Sequence, residues 1–324
     1  LSKNKEDDWN YEIKNYFNTF FDVFDKSDEE IIKLCKKIEI DIAVDLNGFT
    51  EKGRQGIFLN RTAPIQINFL GYPGTMGSDL YDYLIADETI IPENQKKNYS
   101  EKIIYHPNCY QPNINKRKIS KKEFKKSDFE IPEDSFIFCN FNSSYKITPE
   151  VFNIWIEILK EVKDSILWIY SNNENVEINL KKEAEKRSFD PKRIIFAKKL
   201  QVEDHLKRIQ LADIFLDTYP YSAHTTASDA IRVGLPLITI KGNSFASRVA
   251  SSLLNEVNLN QLVCSNIEEY KNLAIKIGKN KDYFKSVKKE LSNSLKKTLL
   301  FDSKKFTKNL EDIYINLLEK NEKN

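Results

Sequence analysis

From residue 134 onward, short apolar runs alternate with amphipathic stretches, the arrangement in which βαβ units build a parallel sheet. Strands are predicted at 135–140, 165–170, 193–197, 214–216 and 236–240, and helices between them at 150–162, 178–187, 202–211, 226–233 and 246–254. A helical region at 267–278 precedes a Lys-rich one, and a further apolar stripe at helical spacing covers 307–318. This half reads as a complete doubly wound domain. Before it the pattern thins: a helix at 29–37 and strands at 40–46, 65–70 and 83–86 are too few for a full sheet.

Two α/β domains follow, a partial one over 1–115 and a full one over 116–324 ending in C-terminal helices. The seam lies around 111–128, where Pro112, Asn113, Asn115 and the Lys-rich run 116–126 read as a connecting segment. That run suits a solvated linker, and it also suits contact with a partner.

Composition narrows the function classes. Fifty basic residues against forty-eight acidic ones leave a formal charge of +2, which argues against a dedicated binder of nucleic acid or of anionic membrane. Cys35, Cys109, Cys139 and Cys264 are widely spaced and fit free thiols in a reducing compartment. With no long apolar run and no signal-like N-terminus, the expected location is cytoplasmic. The chain opens on Leu1 and its one methionine is Met76, so the start of translation is expected upstream.

Four stretches carry candidate chemistry. The segment 217–226 (DTYPYSAHTT) joins a strand to a helix, and so falls at the carboxyl ends of the strands, where ligands bind. There the helix dipole, its leading N–H groups and the hydroxyls of Thr225 and Thr226 suit a diphosphate. Asp229, three residues on, could accept from a ribose hydroxyl. An N-capping Thr beside a solvent-facing His224 would leave the same string.

His205 and Arg208, three apart on one helix, could stack on and bond to a flat base, or could simply form a polar helix face. After the first strand of the second domain, Lys146 would bring a point charge to a phosphate leaving group, although Thr148 and Pro149 make it equally a surface lysine ahead of a capped helix. Finally 70–77 (LGYPGTMG) lets backbone approach a ligand closely, or serves as a tight structural loop. No Asp-x-Asp motif lies where a diphosphate would sit, so no metal is expected there.

These stretches, together with 45–50 (DLNGFT), 63–66 (APIQ), 99–102 (YSEK), 140–142 (NFN) and 245–250 (FASRVA), resemble the catalytic region of the O-linked N-acetylglucosamine transferases, including their bacterial and plant SPINDLY-like relatives. The strings occur in family order over about residues 40–310. The resemblance implies a GT-B architecture: two Rossmann-like lobes facing across a cleft, the N-terminal one incomplete here, with a UDP-sugar held mainly by the C-terminal lobe. By position, Lys146 would stabilise the departing diphosphate, Thr225 and Thr226 would bind phosphate oxygens, and His224 would lie over diphosphate and sugar. His205 and Arg208 would hold the uracil, Asp229 the ribose, Gly71 and Pro73 the sugar, and Tyr145 would stand near the reacting centre.

Three positions depart from the animal enzymes. Val202 replaces a lysine that reaches the ribose, Ser143 a phosphate-contacting glutamine, and Tyr221 a cysteine beside the acyl group. The family's Asp-Phe-x-x-His-Pro segment, which lines the acceptor site, and the tetratricopeptide repeats that usually precede it would both lie upstream of Leu1.

The expected function is inverting, metal-independent transfer of N-acetylglucosamine from UDP-GlcNAc to Ser and Thr hydroxyls of acceptor proteins, with no cofactor beyond the donor. Donor use of GDP-fucose and a non-catalytic nucleotide-binding or scaffold role stay open as alternatives, while sugar-nucleotide epimerisation is disfavoured by the 70–77 and 145–146 strings, which resemble the transferases.

Overall fold

A computed structural model describes residues 8–322. The chain forms two compact units, one holding the residues up to Gln111 together with those from Lys308 onward, the other Pro112–Thr307.

The first unit carries a four-stranded parallel sheet in the order β1 (Ile42–Asp45), β2 (Ile65–Phe69), β3 (Tyr83–Ala86), β4 (Lys102–Tyr105). Two helices precede it, α1 (Asp8–Lys14) and α2 (Asp28–Lys37). α2 starts where Ser27 and Glu30 cap each other, has acidic residues in its first turn and lysines in its last, and lays Ile31 on a core with Ile57, Phe58, Met76 and Tyr81. β2 is buried along its whole length; the Gln66 side chain accepts from Thr62 N at 2.8 Å and donates to Phe58 O at 3.1 Å, while Asn68 donates to Gly74 O at 3.2 Å and leaves its Oδ1 without a partner among the described residues. β4 is absent from the strand pattern expected of the sequence: it is exposed at Lys102 and only half-buried over Ile103–Tyr105, so no buried apolar run marks it.

The second unit runs β5 (Phe136–Asn140), α3 (Pro149–Glu161), β6 (Ser165–Tyr170), α4 (Glu174–Lys186), β7 (Ile194–Ala197), α5 (Val202–Arg208), β8 (Ile214–Leu216), α6 (Thr225–Arg232), β9 (Leu237–Ile240), α7 (Val249–Glu256), β10 (Val263–Cys264), α8 (Ile267–Lys279) and α9 (Lys281–Leu295). Its strands pair in parallel in the order β10-β9-β8-β5-β6-β7, the doubly wound arrangement of dinucleotide-binding folds. The direction of winding reverses between β5 and β8, so the loops leaving their carboxyl ends, 141–148 and 217–224, stand side by side at the topological switch point.

Apolar strands buried on both faces and the fully buried Trp155 and Trp168 form the core. Trp155 Nε1 donates to the Tyr270 hydroxyl at 3.1 Å and that hydroxyl to Asp217 O at 3.0 Å, which ties α3 and α8 to the end of β8.

The last helix, α10 (Ser303–Asn321), outruns the expected 307–318, and from Lys308 onward it groups with the first unit instead of closing the second. Its buried Asn309 donates to Asn108 Oδ1 at 3.3 Å. An amphipathic stripe reports that a face is buried, not which sheet buries it. The seam between units falls at 111/112, ahead of the expected 115/116, because the residues after Pro112 are already bonded to the second unit. No helix of the described residues is long and apolar enough to cross a membrane.

Candidate functional site

The floor of the site is a set of side chains that knit the two switch-point loops together. Asn140, at the end of β5, donates from Nδ2 to Leu216 O at 2.6 Å and accepts from Asn142 N at 3.1 Å. Asn142 then donates to Thr218 Oγ1 at 2.9 Å and accepts from the Thr226 hydroxyl, so 140–142 serves as a tie between β5 and the start of α6. Under it lies Asp217, a residue that the sequence reading named without giving it a role. Its carboxylate accepts from Thr218 N, Ala223 N and Thr239 Oγ1, each at 2.7 Å. Even so, burial pushes its pKa up to about 6.

Lys146 and His224 meet above this floor. Lys146 leaves a single 3-10 turn (Ser144–Lys146), donates from Nζ to Ser222 O at 2.8 Å and lies 3.9 Å from the centroid of the Tyr221 ring. Burial lowers its pKa and the Asp217 carboxylate works against that. His224 occupies the N-cap position of α6 without bonding back to the helix, which leaves the leading N–H groups and the positive end of the dipole to a ligand. Its Nε2 lies 3.3 Å from Ala246 O and its ring 5.1 Å from that of Tyr221. Burial, with Lys146 adding to it, pushes the imidazole down to about 4, so it is neutral at physiological pH.

A Thr N-cap beside a solvent-facing histidine is therefore not what forms: the cap is His224 and its ring is largely covered, while Thr225 is exposed and Thr226 half-buried at the helix start. The lysine is not a simple surface residue either, although Thr148 does cap α3, accepting from Val151 N at 3.2 Å. Tyr145 is 73% exposed, its ring 6.3 Å from that of Tyr221.

The helix-borne pair is arranged differently from expectation. His205 and Arg208 are side by side, but Arg208 is only 1% exposed. Its guanidinium turns inward over the Phe141 ring, 5.5 Å away, and donates to the Lys198 carbonyl and, at 3.1 Å, to His205 Nδ1. The expectation that it stacks on a flat base is corrected: i, i+3 spacing fixes adjacency, not which neighbour points outward. The donated bond leaves Nε2 as the protonated nitrogen of His205, and burial pushes this ring too down to about 4, with Arg208 and Arg117 contributing.

Asp229 is half-occupied, because Arg117 Nη1 donates to its Oδ1. Arg117 went unmarked inside the Lys-rich run 116–126, which proves to be laid along α5, with Ser120 N donating to Glu203 O at 3.1 Å and Lys122 Nζ 2.6 Å from Asp204 Oδ2. A lone arginine among lysines was the one signal available in the sequence.

Gly71 and Pro73 belong to the first unit. A Cβ at Gly71 would lie 2.1 Å from Leu46 O, so the turn at 45–50 and the loop at 70–77 approach each other through a position only glycine fills. Asp45 holds that turn by accepting from Asn47 N at 2.9 Å, Gly48 N at 3.0 Å and the Tyr81 hydroxyl at 2.6 Å. Glu101 holds the loop, accepting from Thr75 Oγ1 and Met76 N at 2.6 Å each. Among the described residues no group of three or more His, Cys, Asp or Glu side chains could hold a metal ion.

Comparison with known proteins identifies the family and the fold. The family described as Glycosyl transferase family 41 matches residues 1–125 and 116–310. The chain is 36% identical over 323 residues to the probable UDP-N-acetylglucosamine–peptide N-acetylglucosaminyltransferase SEC of Arabidopsis thaliana, covering 98% of this chain and 33% of that protein. To the corresponding probable transferase SPINDLY of Solanum lycopersicum it is 30% identical over 298 residues, covering 90% of this chain and 32% of the other. It thus spans about a third of the length of these curated relatives. A mutant of the Thermobaculum terrenum O-GlcNAc transferase superposes with a TM-score of 0.89 at 26% identity, covering 98% of this chain and 60% of that one. The two Rossmann-like parallel sheets are those of the GT-B class, and with both segments of the family matched in order, the chain belongs to glycosyl transferase family 41.

Proposed function

We propose that the chain carries the donor-binding part of a protein O-N-acetylglucosaminyltransferase, moving N-acetylglucosamine from UDP-GlcNAc to Ser and Thr hydroxyls with inversion and without a metal. The relatives' names point to this donor and to peptide acceptors. The observation that carries the reading is the meeting of Lys146, His224 and the N-terminus of α6 at the switch point of a doubly wound sheet.

In this reaction the acceptor oxygen attacks the anomeric carbon from the face opposite UDP. The bond to the β-phosphate oxygen breaks, its electron pair goes to UDP, and the acceptor hydroxyl gives up its proton to water. A single displacement inverts the centre. The charge developing on the diphosphate is met by the Lys146 ammonium, by the Thr225 hydroxyl and by the helix dipole, the work a divalent cation does elsewhere, while the Thr226 hydroxyl, already donating to Asn142, holds the helix start in place. His224, neutral and pinned toward Ala246 O, covers the diphosphate without adding a second cation. His205 presents its Nε2–H to the base and Asp229 accepts from the ribose. Net charge near zero fits protein acceptors better than nucleic acid or membrane.

The test is a calorimetric titration of UDP and GDP with EDTA present, paired with transfer of labelled N-acetylglucosamine to Ser/Thr peptides. UDP binding that survives chelation and exceeds GDP binding, and that falls in Lys146→Ala, is expected. Affinity that disappears with the metal, or a preference for GDP, overturns the proposal.

A further inference from the structure

Residues 113–123 form a strap between the two helices that flank the nucleoside end of the proposed site. On α6, the Ser228 hydroxyl donates to Asn113 Oδ1, Arg232 Nη2 donates to Ile114 O at 2.6 Å, and Asp229 accepts from Arg117. On α5, Ser120 N donates to Glu203 O at 3.1 Å and Lys122 meets Asp204 at 2.6 Å. Arg117 stands where the strap passes from one helix to the other, near enough to act electrostatically on both Asp229 and His205.

The bond it makes is one-sided. Arg117 takes Asp229 Oδ1, and among the described residues no donor reaches Oδ2, an atom that is not sealed from solvent. The carboxylate is 9% exposed and its guanidinium partner 29%, so the pair is desolvated enough to be held firmly while one edge stays open to a ligand.

We propose that Arg117 is a positioning residue for the donor nucleotide: it fixes the Asp229 carboxylate in orientation and charge so that Oδ2 is presented to a ribose hydroxyl. This rests on the donor site proposed above. The charged groups facing Asp229 are Arg117 from the strap and Arg232 from its own helix. Burial pushes the Asp229 carboxyl up and these two hold it down, Arg117 more strongly than Arg232. Without Arg117 the carboxyl takes a proton at higher pH and the ribose loses its acceptor.

UDP is titrated calorimetrically between pH 5 and 8 into the full chain and into Arg117→Ala, Arg117→Lys, Asp229→Asn and the Arg117→Ala/Asp229→Asn double variant. Arg117→Ala is expected to weaken UDP by roughly tenfold, as loss of a charge-assisted contact does, with the deficit growing as pH falls. Arg117→Lys recovers most of the loss and restores the pH dependence. The double variant binds no worse than Asp229→Asn, because Arg117 acts through that carboxylate. Arg117→Gln, which keeps a polar chain with an N–H donor but not the charge, repeats the test should the alanine variant not fold. Unchanged or tighter binding by Arg117→Ala, or losses that add in the double variant, overturns the role while leaving the donor site standing. A wild-type chain that takes up no UDP overturns both.

Discussion

Asp217 lies under the floor of one pair of loops and Lys146 above it, and the two charges favour each other. The carboxylate is the group that holds the ammonium's pKa up against burial. Asp217→Asn keeps the floor intact, since the amide oxygen can accept from Thr218 N and Ala223 N while its nitrogen donates to Thr239 Oγ1. What changes is charge. Lys146 loses the interaction that favours its protonated form, so its pKa falls further, and the basic limb of the pH profile for UDP affinity or transfer moves to lower pH. An unmoved limb would refute the coupling.

His224 gives a second residue-scale prediction. Its folded pKa of about 4 lies below the ordinary 6.5, so between those values the unfolded chain binds a proton that the folded chain does not. Stability carried by the neutral ring is therefore complete above 6.5 and lost as pH falls toward 4. His224→Gln removes that loss, and the melting temperature should decline less steeply over this window than in the wild type, by at most about 3 kcal/mol of stability at its acid end.

At this scale the places of Lys146 and His224 were legible because each sits in a string whose position after a strand fixes where it goes, whereas the bond of Thr226 to Asn142 was not. The inward turn of Arg208 and the roles of Asp217 and Arg117 were not. Arg208 is decided by Phe141 and Lys198, and Arg117 by an aspartate in another element, 112 residues away.

Among elements, the loop joining β2 to β3 shows what a motif can encode without a helix or strand. Its string 70–75 is far in sequence from 45–50, after β1, and 99–102, at the start of β4, yet Asp45 and Glu101 satisfy the backbone and hydroxyl donors that hold the turn at 45–50 and this loop in shape. The structural reading of this loop, left open by the sequence, is supported by these bonds, and they do not exclude a sugar pocket. Gly71→Ala would drive a Cβ against Leu46 O and Asn47 Cα, both backbone atoms that cannot rotate away. A loss of about 1–3 kcal/mol, typical of overpacking, is expected as a lower denaturant midpoint for the first unit. A variant as stable as the wild type would mean that the turn at 45–50 shifts freely.

The strands that escaped detection, β4 and β10, have four and two residues. β8 has only three, yet its fully buried apolar run marked it. Length alone does not decide detection, since the four-residue β1, β3, β7 and β9 were all anticipated; β4 is buried at no position and β10 is a bare pair.

For the molecule as a whole, alternation of apolar runs with helical stripes announced a doubly wound sheet, but strand order and the allegiance of α10 come from pairing and packing that no local window contains. The division into units carries a consequence for the donor. Every expected donor contact except Gly71 and Pro73 lies within 112–307, a stretch with its own six-stranded sheet and buried core. A fragment of that extent should melt cooperatively and bind UDP within about threefold of the full chain, as seen by calorimetry. If Gly71 and Pro73 line the sugar pocket, the full chain gains affinity from the N-acetylglucosamine of UDP-GlcNAc and the fragment gains none. A fragment that distinguishes UDP-GlcNAc from UDP as well as the full chain does would place the sugar contacts in the second unit alone. Gly71 and Pro73 would then be left with the purely structural work of their loop.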